Sequence, residues 1–391
     1  MAPRYTLGEV LQDVWWVGLV AFAVSLTVTP IVRFAAYRAG IVDRPDDLLK
    51  PHGRPVAYLG GLAMCLGLLA GLGGYVAVMP GLASHWEGLR EGISRGSVVV
   101  LLANPLWNVL AVALACMAIT LVGLLDDIRE LRPMKKVLGQ LLAAAILLGG
   151  GIGHRMAMVL LIPLHLNLPA WIVVPLSAAM CAIVVVATCN AANLLDGMDG
   201  LCGGVTGIIA LGFLALAVFL AVWGHYPDTG NLRIGLCLAM AGAVLGFLPY
   251  NVPPASIFMG DAGSMLLGLF VATMMALFCR EGNVRWFIAA CGVFALPILD
   301  TALAVVRRIR SGRSIFAGDR SHLYDQLMDR GMGVKQVVGL FYLLAFMASV
   351  IGVVTAVFIR ARYAVAMYAV LLAVIWTIFY AKGMISPAPR R

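Results

Sequence analysis

The sequence predicts an all-α integral membrane protein with about eleven transmembrane helices, and three observations carry that prediction. Of 391 residues, 62% are hydrophobic and 12% charged, whereas a soluble chain is nearer half apolar and one quarter charged. Mean hydropathy is +0.96. The apolar residues gather in runs of about 16–24, the length of a bilayer-spanning helix rather than of a barrel strand of about ten.

In chain order the runs cover 14–37, 56–79, 106–125, 137–152, 170–189, 201–223, 232–250, 264–280, 286–306, 336–359 and 363–381. The first follows Arg4, Glu9 and Asp13 without a small-residue cleavage site, so it reads as a span and not a signal peptide. The fourth ends in the glycine run Gly149–Gly153, which closes a span instead of opening a helix after a strand; a dinucleotide loop is therefore not expected. The ninth contains Pro297 and Asp300; Asp300 is expected either to pair with Arg307 or Arg308 on the next turns, the favoured reading, or to orient the floor of a site. Val98–Ala103 and Met156–Pro163 are too short to cross and are expected at the interface. No repeat or linker interrupts the chain, which reads as a single polytopic membrane domain over 1–391. Eleven spans leave loops of about 14 residues each. That excludes a soluble catalytic domain, so any chemistry must be built at helix ends and short loops.

Eight cysteines lie in or beside apolar runs with no metal spacing, and read as small core hydrophobes. The basic excess follows the positive-inside rule and calls for no nucleic-acid partner. Loops after the odd-numbered spans, with the C-terminal tail and Arg33 near the end of the first span, carry 19 of the 28 basic residues. This predicts an outside N-terminus and a cytoplasmic C-terminus.

The carboxylates carry the functional signal. The third span ends in Asp126-Asp127, the fifth runs into Asn190, Asn193, Asp196 and Asp199, and the seventh leads to Asn251, Phe258 and Asp261. Five aspartates on three loops thus reach one face, which is costly unless a cation sits among them. Hard oxygen donors without a His/Cys cluster point to Mg²⁺ or Mn²⁺. Such an ion suits phosphoryl transfer, where positioning and charge neutralisation supply most of the catalysis. His52, Arg54, Lys135, Lys136, Arg320 and His322 lie on the same expected side, able to clamp phosphate oxygens. His85, His154, His165 and His225 fall on the other side.

At these residues the sequence resembles the polyprenyl-phosphate N-acetylhexosamine-1-phosphate transferases, over roughly residues 41–336. The motifs that carry the likeness stand in order. They are Asp43-Arg44-Pro45 with His52-Gly53-Arg54 and Gly60-Gly61; Gly123-x-x-Asp126-Asp127; Asn190-x-x-Asn193-x-x-Asp196-Gly197-x-Asp199; Phe258-x-Gly260-Asp261-x-Gly263-Ser264; and Asp300 with Arg307-Arg308 and Asp319-Arg320-x-His322-Leu323. The resemblance implies transfer of a sugar phosphate from a UDP-sugar, UDP-GlcNAc foremost, to undecaprenyl phosphate. UMP would leave, and the lipid-linked first sugar would serve cell-envelope polysaccharide synthesis.

It also implies residue roles. Asp126 and Asp127 face the lipid phosphate, Asp126 as proton acceptor, and Lys136 binds phosphate. Asn190, Asn193 and Asp196 line the nucleotide and metal site, Asp199 lies beside the uridine, and Asp261 ligates Mg²⁺. Phe258 stacks on uracil, with Asn251 near the base. Small-sugar members carry His-x-His-His in the last cytoplasmic loop and the peptidoglycan branch three consecutive histidines; here the segment is His322-Leu323-Tyr324-Asp325. Its Asp-Arg-x-His-Leu frame matches the small-sugar branch. The implied partners are the UDP-sugar, the polyprenyl phosphate, the bilayer of the inner cell membrane and a second copy as homodimer. The rivals are a phospho-MurNAc-pentapeptide transferase and, from another class, a cation-coupled transporter; aspartates at one surface without inverted repeats speak against the transporter.

Overall fold

The computed structural model describes residues 3–43, 55–223, 227–279, 283–312 and 322–384. His52, Arg54 and Arg320, expected at the site, lie outside these residues.

Helix α1 (Leu7–Leu11) opens on a reciprocal cap in which Thr6 Oγ1 accepts from the Glu9 N–H and Glu9 Oε2 from the Thr6 N–H. The first span, α2 (Trp16–Ala39), stops at Gly40, whose φ of 70° is the left-handed conformation that ends many helices. A two-residue ribbon follows, β1 (Val42–Asp43) antiparallel to β2 (Val56–Ala57). The expected helix over 56–79 is shortened by this ribbon and begins only at α3 (Gly60–Ala77). Residues 56 and 57 are spent on backbone pairing: Ala57 also bridges Ile257, and its carbonyl accepts from the Phe258 N–H at 2.8 Å. The loop before the eighth apolar run is thereby tied to the entry of the second.

Next come α4 (Leu82–Arg95) and α5 (Val98–Ala103). The first is polar enough on one side to escape a hydropathy reading; the second is the short apolar piece expected at the interface. Helix α6 (Pro105–Arg129) starts on Asn104, whose Oδ1 accepts from the N–H groups of Leu106 and Trp107, with Pro105 pre-set at the first position. Beyond it lie α7 (Pro133–Gly149), the four-residue α8 (Met158–Leu161), α9 (Ala170–Leu195), α10 (Leu201–Val222), α11 (Pro227–Asn251) and α12 (Gly260–Cys279). The ninth run is not one straight helix. It divides into α13 (Val284–Val293) and α14 (Ala295–Arg310), bent by 74° at Phe294. The chain closes with α15 (Leu323–Asp329), α16 (Val334–Phe358) and α17 (Ala361–Ala381).

Among the described residues nine helices are long and apolar enough to cross a membrane, ten if the bent pair is one span. The remaining expected span is α7, 17 residues long and packed on α6 and α9. The chain is a multi-pass, all-α membrane protein, and among the described residues its strands form one small ribbon.

At its centre stands α12, buried at every position except Asp261 and packed on α3, α6, α9 and α13. Lipid tails are as apolar as the core, so association here depends on close packing. At Gly123 of α6 a Cβ would fall 2.6 Å from the carbonyl carbon of Asp261. Gly268 of α12 would meet the Cys189 backbone nitrogen of α9 at 2.7 Å. Glycine at both positions lets three helices touch backbone to backbone. Helix α17 is the opposite case, with Ala364 its one buried residue. Its C-terminal end is held by Gln326, which donates to the Met384 carbonyl, and Arg330, which donates to that of Lys382.

Candidate active site

The aspartate ends of α6 and α12 meet because the backbones do. Asp127 Oδ1 accepts from the Asp261 N–H at 2.7 Å, and its Oδ2 from the Ala262 N–H at 3.2 Å. One helix therefore caps the exposed N–H groups of another, where the helix dipole favours an anion. Asp127 is thus engaged in holding Asp261 in place, a job its motif alone does not reveal.

Asp126, on the next position, turns the other way. Its Oδ1 accepts from the Leu131 N–H at 2.7 Å, fixing the turn out of α6. Its Oδ2 lies 2.5 Å from Lys136 Nζ, and that same ammonium lies 2.5 Å from Asp261 Oδ2. Lys136 is carried here by the first turn of α7, which starts at Pro133. Lys136, preferred to Lys135 from the resemblance, is the lysine at the centre.

The second oxygen of Asp261 accepts from Asn193 Nδ2 at 2.8 Å, and the same amide reaches Ser264 Oγ at 3.0 Å. Asn193 thereby joins the end of α9 to the start of α12. One turn earlier, Asn190 donates to Gln140 Oε1 at 3.2 Å, a side chain buried against Met265. Asp196 follows the last turn of α9. Burial, then the charges of Asp261, Asp127 and Asp199, push its carboxyl well above the usual carboxylate range.

Two expected nucleotide contacts have loop-holding partners. Asp199 Oδ2 accepts from the Ala255 N–H at 2.9 Å. Asn251 is buried, accepting from the Gly200 N–H and donating to the Ile257 carbonyl. Together they clamp the loop after α9 onto the loop before α12. Phe258 remains half-exposed beside this clamp, its ring 5.9 Å from that of Tyr58. Tyr58 escaped the sequence reading. Burial first, then Asp43, Asp127 and Asp261, push its phenol pKa upward, which places it against the acidic centre. An aromatic residue ahead of two glycines gave no signal of that.

His322 is buried and receives Asp300. Its Nδ1 lies 2.9 Å from Asp300 Oδ2, while the Leu323 N–H donates to Asp300 Oδ1 at 2.8 Å. The expected pairing of Asp300 with Arg307 or Arg308 is replaced by this contact, because the chain entering α15 returns to Asp300. Tyr324 stacks flat on His322, centroids 5.5 Å apart and planes 9° from parallel. Its hydroxyl packs against Gly197 and approaches the Leu194 carbonyl at 3.5 Å. The histidine loop thus leans on the Asp196 loop.

The donor set suits a hard divalent cation. Two carboxylate oxygens already share one cationic centre in Lys136. Among the described residues no three His, Cys, Asp or Glu side chains converge on a point. Mg²⁺ takes one or two carboxylates and completes its shell with water and phosphate, so Asp261 and its acidic neighbours are the side chains that could hold such an ion.

The sequence pattern of Glycosyl transferase family 4 matches residues 109–279, which hold Asp126, Lys136, Asn193, Asp196 and Asp261. A decaprenyl-phosphate N-acetylglucosaminephosphotransferase of Mycobacterium leprae is 34% identical over 352 residues, 86% of this chain and 82% of the relative. A probable undecaprenyl-phosphate N-acetylglucosaminyl 1-phosphate transferase of Bacillus subtilis is 30% identical over 341 residues, 86% and 84% of the two chains. A phospho-N-acetylmuramoyl-pentapeptide-transferase of Desulforudis audaxviator is 29% identical over 358 residues, 85% and 95%. With the family's acidic motifs gathered around one lysine at the ends of α6, α9 and α12, the chain belongs to glycosyl transferase family 4, among its polyprenyl-phosphate N-acetylhexosamine-1-phosphate transferases.

Proposed function

We propose that the protein transfers N-acetylglucosamine 1-phosphate from UDP-GlcNAc to a polyprenyl phosphate of undecaprenyl class in the inner cell membrane. The observation that carries this is the Asp126–Lys136–Asp261 centre, two carboxylates around one cation at the end of a membrane-spanning bundle. An oxygen of the lipid phosphate attacks the β-phosphorus of the donor, the bond to the bridging oxygen breaks, and UMP departs with both electrons. Mg²⁺, when bound, would supply charge neutralisation at the diphosphate.

The chain's own groups do the rest. Asp261 and Asp196 would hold the cation; Asp126, hydrogen-bonded to Leu131 N–H, accepts the last proton of a monoprotonated lipid phosphate. Lys136 meets phosphate oxygens as a point charge. Asn193 orients Asp261, and Asp196 supports the nucleotide side. Phe258 offers its half-exposed face to the base. The same end of the bundle faces the cytoplasm, where UDP-sugars are available.

The test is UMP release by the purified protein in lipid, with UDP-GlcNAc, UDP-GalNAc and UDP-MurNAc-pentapeptide offered in turn with polyprenyl phosphate. Release with a small UDP-sugar alone supports the reading. Release only with the pentapeptide donor moves the protein to the other branch, and no release with any donor ends the proposal. Sidedness is checked by cysteines at Glu130 and Glu87: labelling of the first from outside the cell would refute the orientation.

A further inference from the structure

The proposed chemistry leaves Asp300 without a task, yet it is among the least exposed charged residues, at 2%. A carboxylate in that position is costly unless both its oxygens are satisfied. Here both are, and in a directional way. Oδ1 takes the backbone N–H of Leu323 at 2.8 Å, the first residue of α15; Oδ2 faces His322 Nδ1 at 2.9 Å. A carboxylate only accepts, so the hydrogen in the second contact belongs to Nδ1. Rotation of the ring is opposed by Tyr324, stacked 9° from parallel, and the His322 backbone N–H is held by Asp325 Oδ2 at 3.2 Å.

We propose that Asp300 is a positioning residue for His322: it fixes the tautomer with hydrogen on Nδ1 and so reserves Nε2 as the ring atom that meets the transferring phosphate groups. The phosphate contact and the activity arm rest on the phosphotransferase reading; the tautomer rests on the Asp300 contacts alone. A histidine whose tautomer is set by a buried carboxylate presents a defined donor or acceptor at its second nitrogen. Tyr324, where the family pattern has histidine, serves as the wall that keeps the ring plane.

Asp300→Asn separates this role from bulk or folding. The Leu323 N–H needs an acceptor, so the amide oxygen stays at the Oδ1 position. The amide nitrogen is thereby placed against His322 Nδ1, where it can only donate. Nδ1 must give up its hydrogen, and the ring is driven to the Nε2–H tautomer.

The experiment labels the six histidines with ¹⁵N and reads ring-nitrogen shifts of the full chain in lipid nanodiscs without substrate. His322 is assigned by its loss in His322→Gln. The wild type should show a protonated Nδ1 at every pH where the protein is folded, and Asp300→Asn an unprotonated Nδ1 above neutrality. In UMP release the same variant should lose about 10- to 100-fold in kcat with KM for the UDP-sugar nearly unchanged. A wild-type ring carrying hydrogen on Nε2 alone overturns the proposal without any variant. So does an inverted tautomer that leaves kcat intact. Absence of UMP release from the wild type refutes the function and leaves the tautomer result standing, so the two failures are distinguishable.

Discussion

Lys136 and Asp261 stand 125 residues apart in sequence and meet at 2.5 Å. The same ammonium reaches Asp126 at the same distance, so one positive charge balances two negative ones taken from separate spans. A divalent ion entering this centre would compete with Lys136 for its oxygens and leave the ammonium to meet phosphate.

Lys136→Met should therefore act in two opposite ways. Affinity for Mn²⁺, followed by electron paramagnetic resonance without substrate, should rise on the order of tenfold because a competing cation is gone. Turnover should fall at least about 100-fold because a phosphate-facing charge is gone too. Loss of metal binding in this variant would show that Lys136 builds the metal site instead of competing for it.

Asp261→Asn should lower turnover by at least about 100-fold, since an amide carries no charge for the metal. It also turns an N–H toward either Asn193 or Lys136, both donors. Chelation with EDTA should abolish wild-type UMP release, and added Mg²⁺ or Mn²⁺ should restore it. Full turnover in chelator would remove the metal from the mechanism.

Asp127→Asn is expected to cost stability as well as activity. The two backbone N–H groups at the start of α12 share its two oxygens, and an amide offers only one acceptor. The loss should be about 1–2 kcal/mol, the worth of a good helix cap. Thermal unfolding in detergent reads it, and an unchanged midpoint would contradict the cross-helix cap.

The pH dependence of the metal-free protein should carry the mark of Asp196. Its folded-state pKa is raised by burial and by Asp261, Asp127 and Asp199. The native state then binds a proton more readily than the unfolded chain, so this group favours folding at low pH and that contribution is lost as pH rises through the raised value. Measured in EDTA, the difference in Tm between the wild type and Asp196→Asn should shift in favour of the wild type as pH falls from neutral. A difference independent of pH would refute the assignment.

Asp325→His looks harmless from the sequence, because it restores a family histidine and removes an anion. The structure gives the opposite expectation. Asp325, in the first turn of α15, accepts from the His322 N–H. Its replacement should destabilise by about 1 kcal/mol and reduce UMP release by loosening His322. A more active variant would mean that the cap is dispensable.

These contrasts show where sequence reasoning succeeds. Apolar runs report spans because length and hydropathy are local, and Asp126, Asp127 and Asp261 could be gathered because topology puts their loops on one face. The 74° bend at Phe294 was hidden inside an unbroken apolar run, with Pro297 three residues beyond it. The ribbon at 42–43 and 56–57 is too short to show alternation. Asp300 illustrates the deeper limit. Helical spacing offers it Arg307 and Arg308, but its partner comes from a backbone that returns 22 residues later. Asn251 and Asp199 were legible as polar residues near a base; that they also staple loops depends on which carbonyls and amides face them, and periodicity is silent on that.

Helix α12 has no outside. Each of its residues but Asp261 borders another part of the protein, so no side of it records contact with lipid. Peripheral helices tolerate exchange of one apolar residue for another on their outward side, and their tolerance should rise and fall every third or fourth position. Along α12 that rhythm should vanish: a saturation library scored for folded protein would find enlargements rejected at consecutive positions all round the helix. The helix that delivers Asp261 should therefore accept fewer changes than the peripheral helices around it.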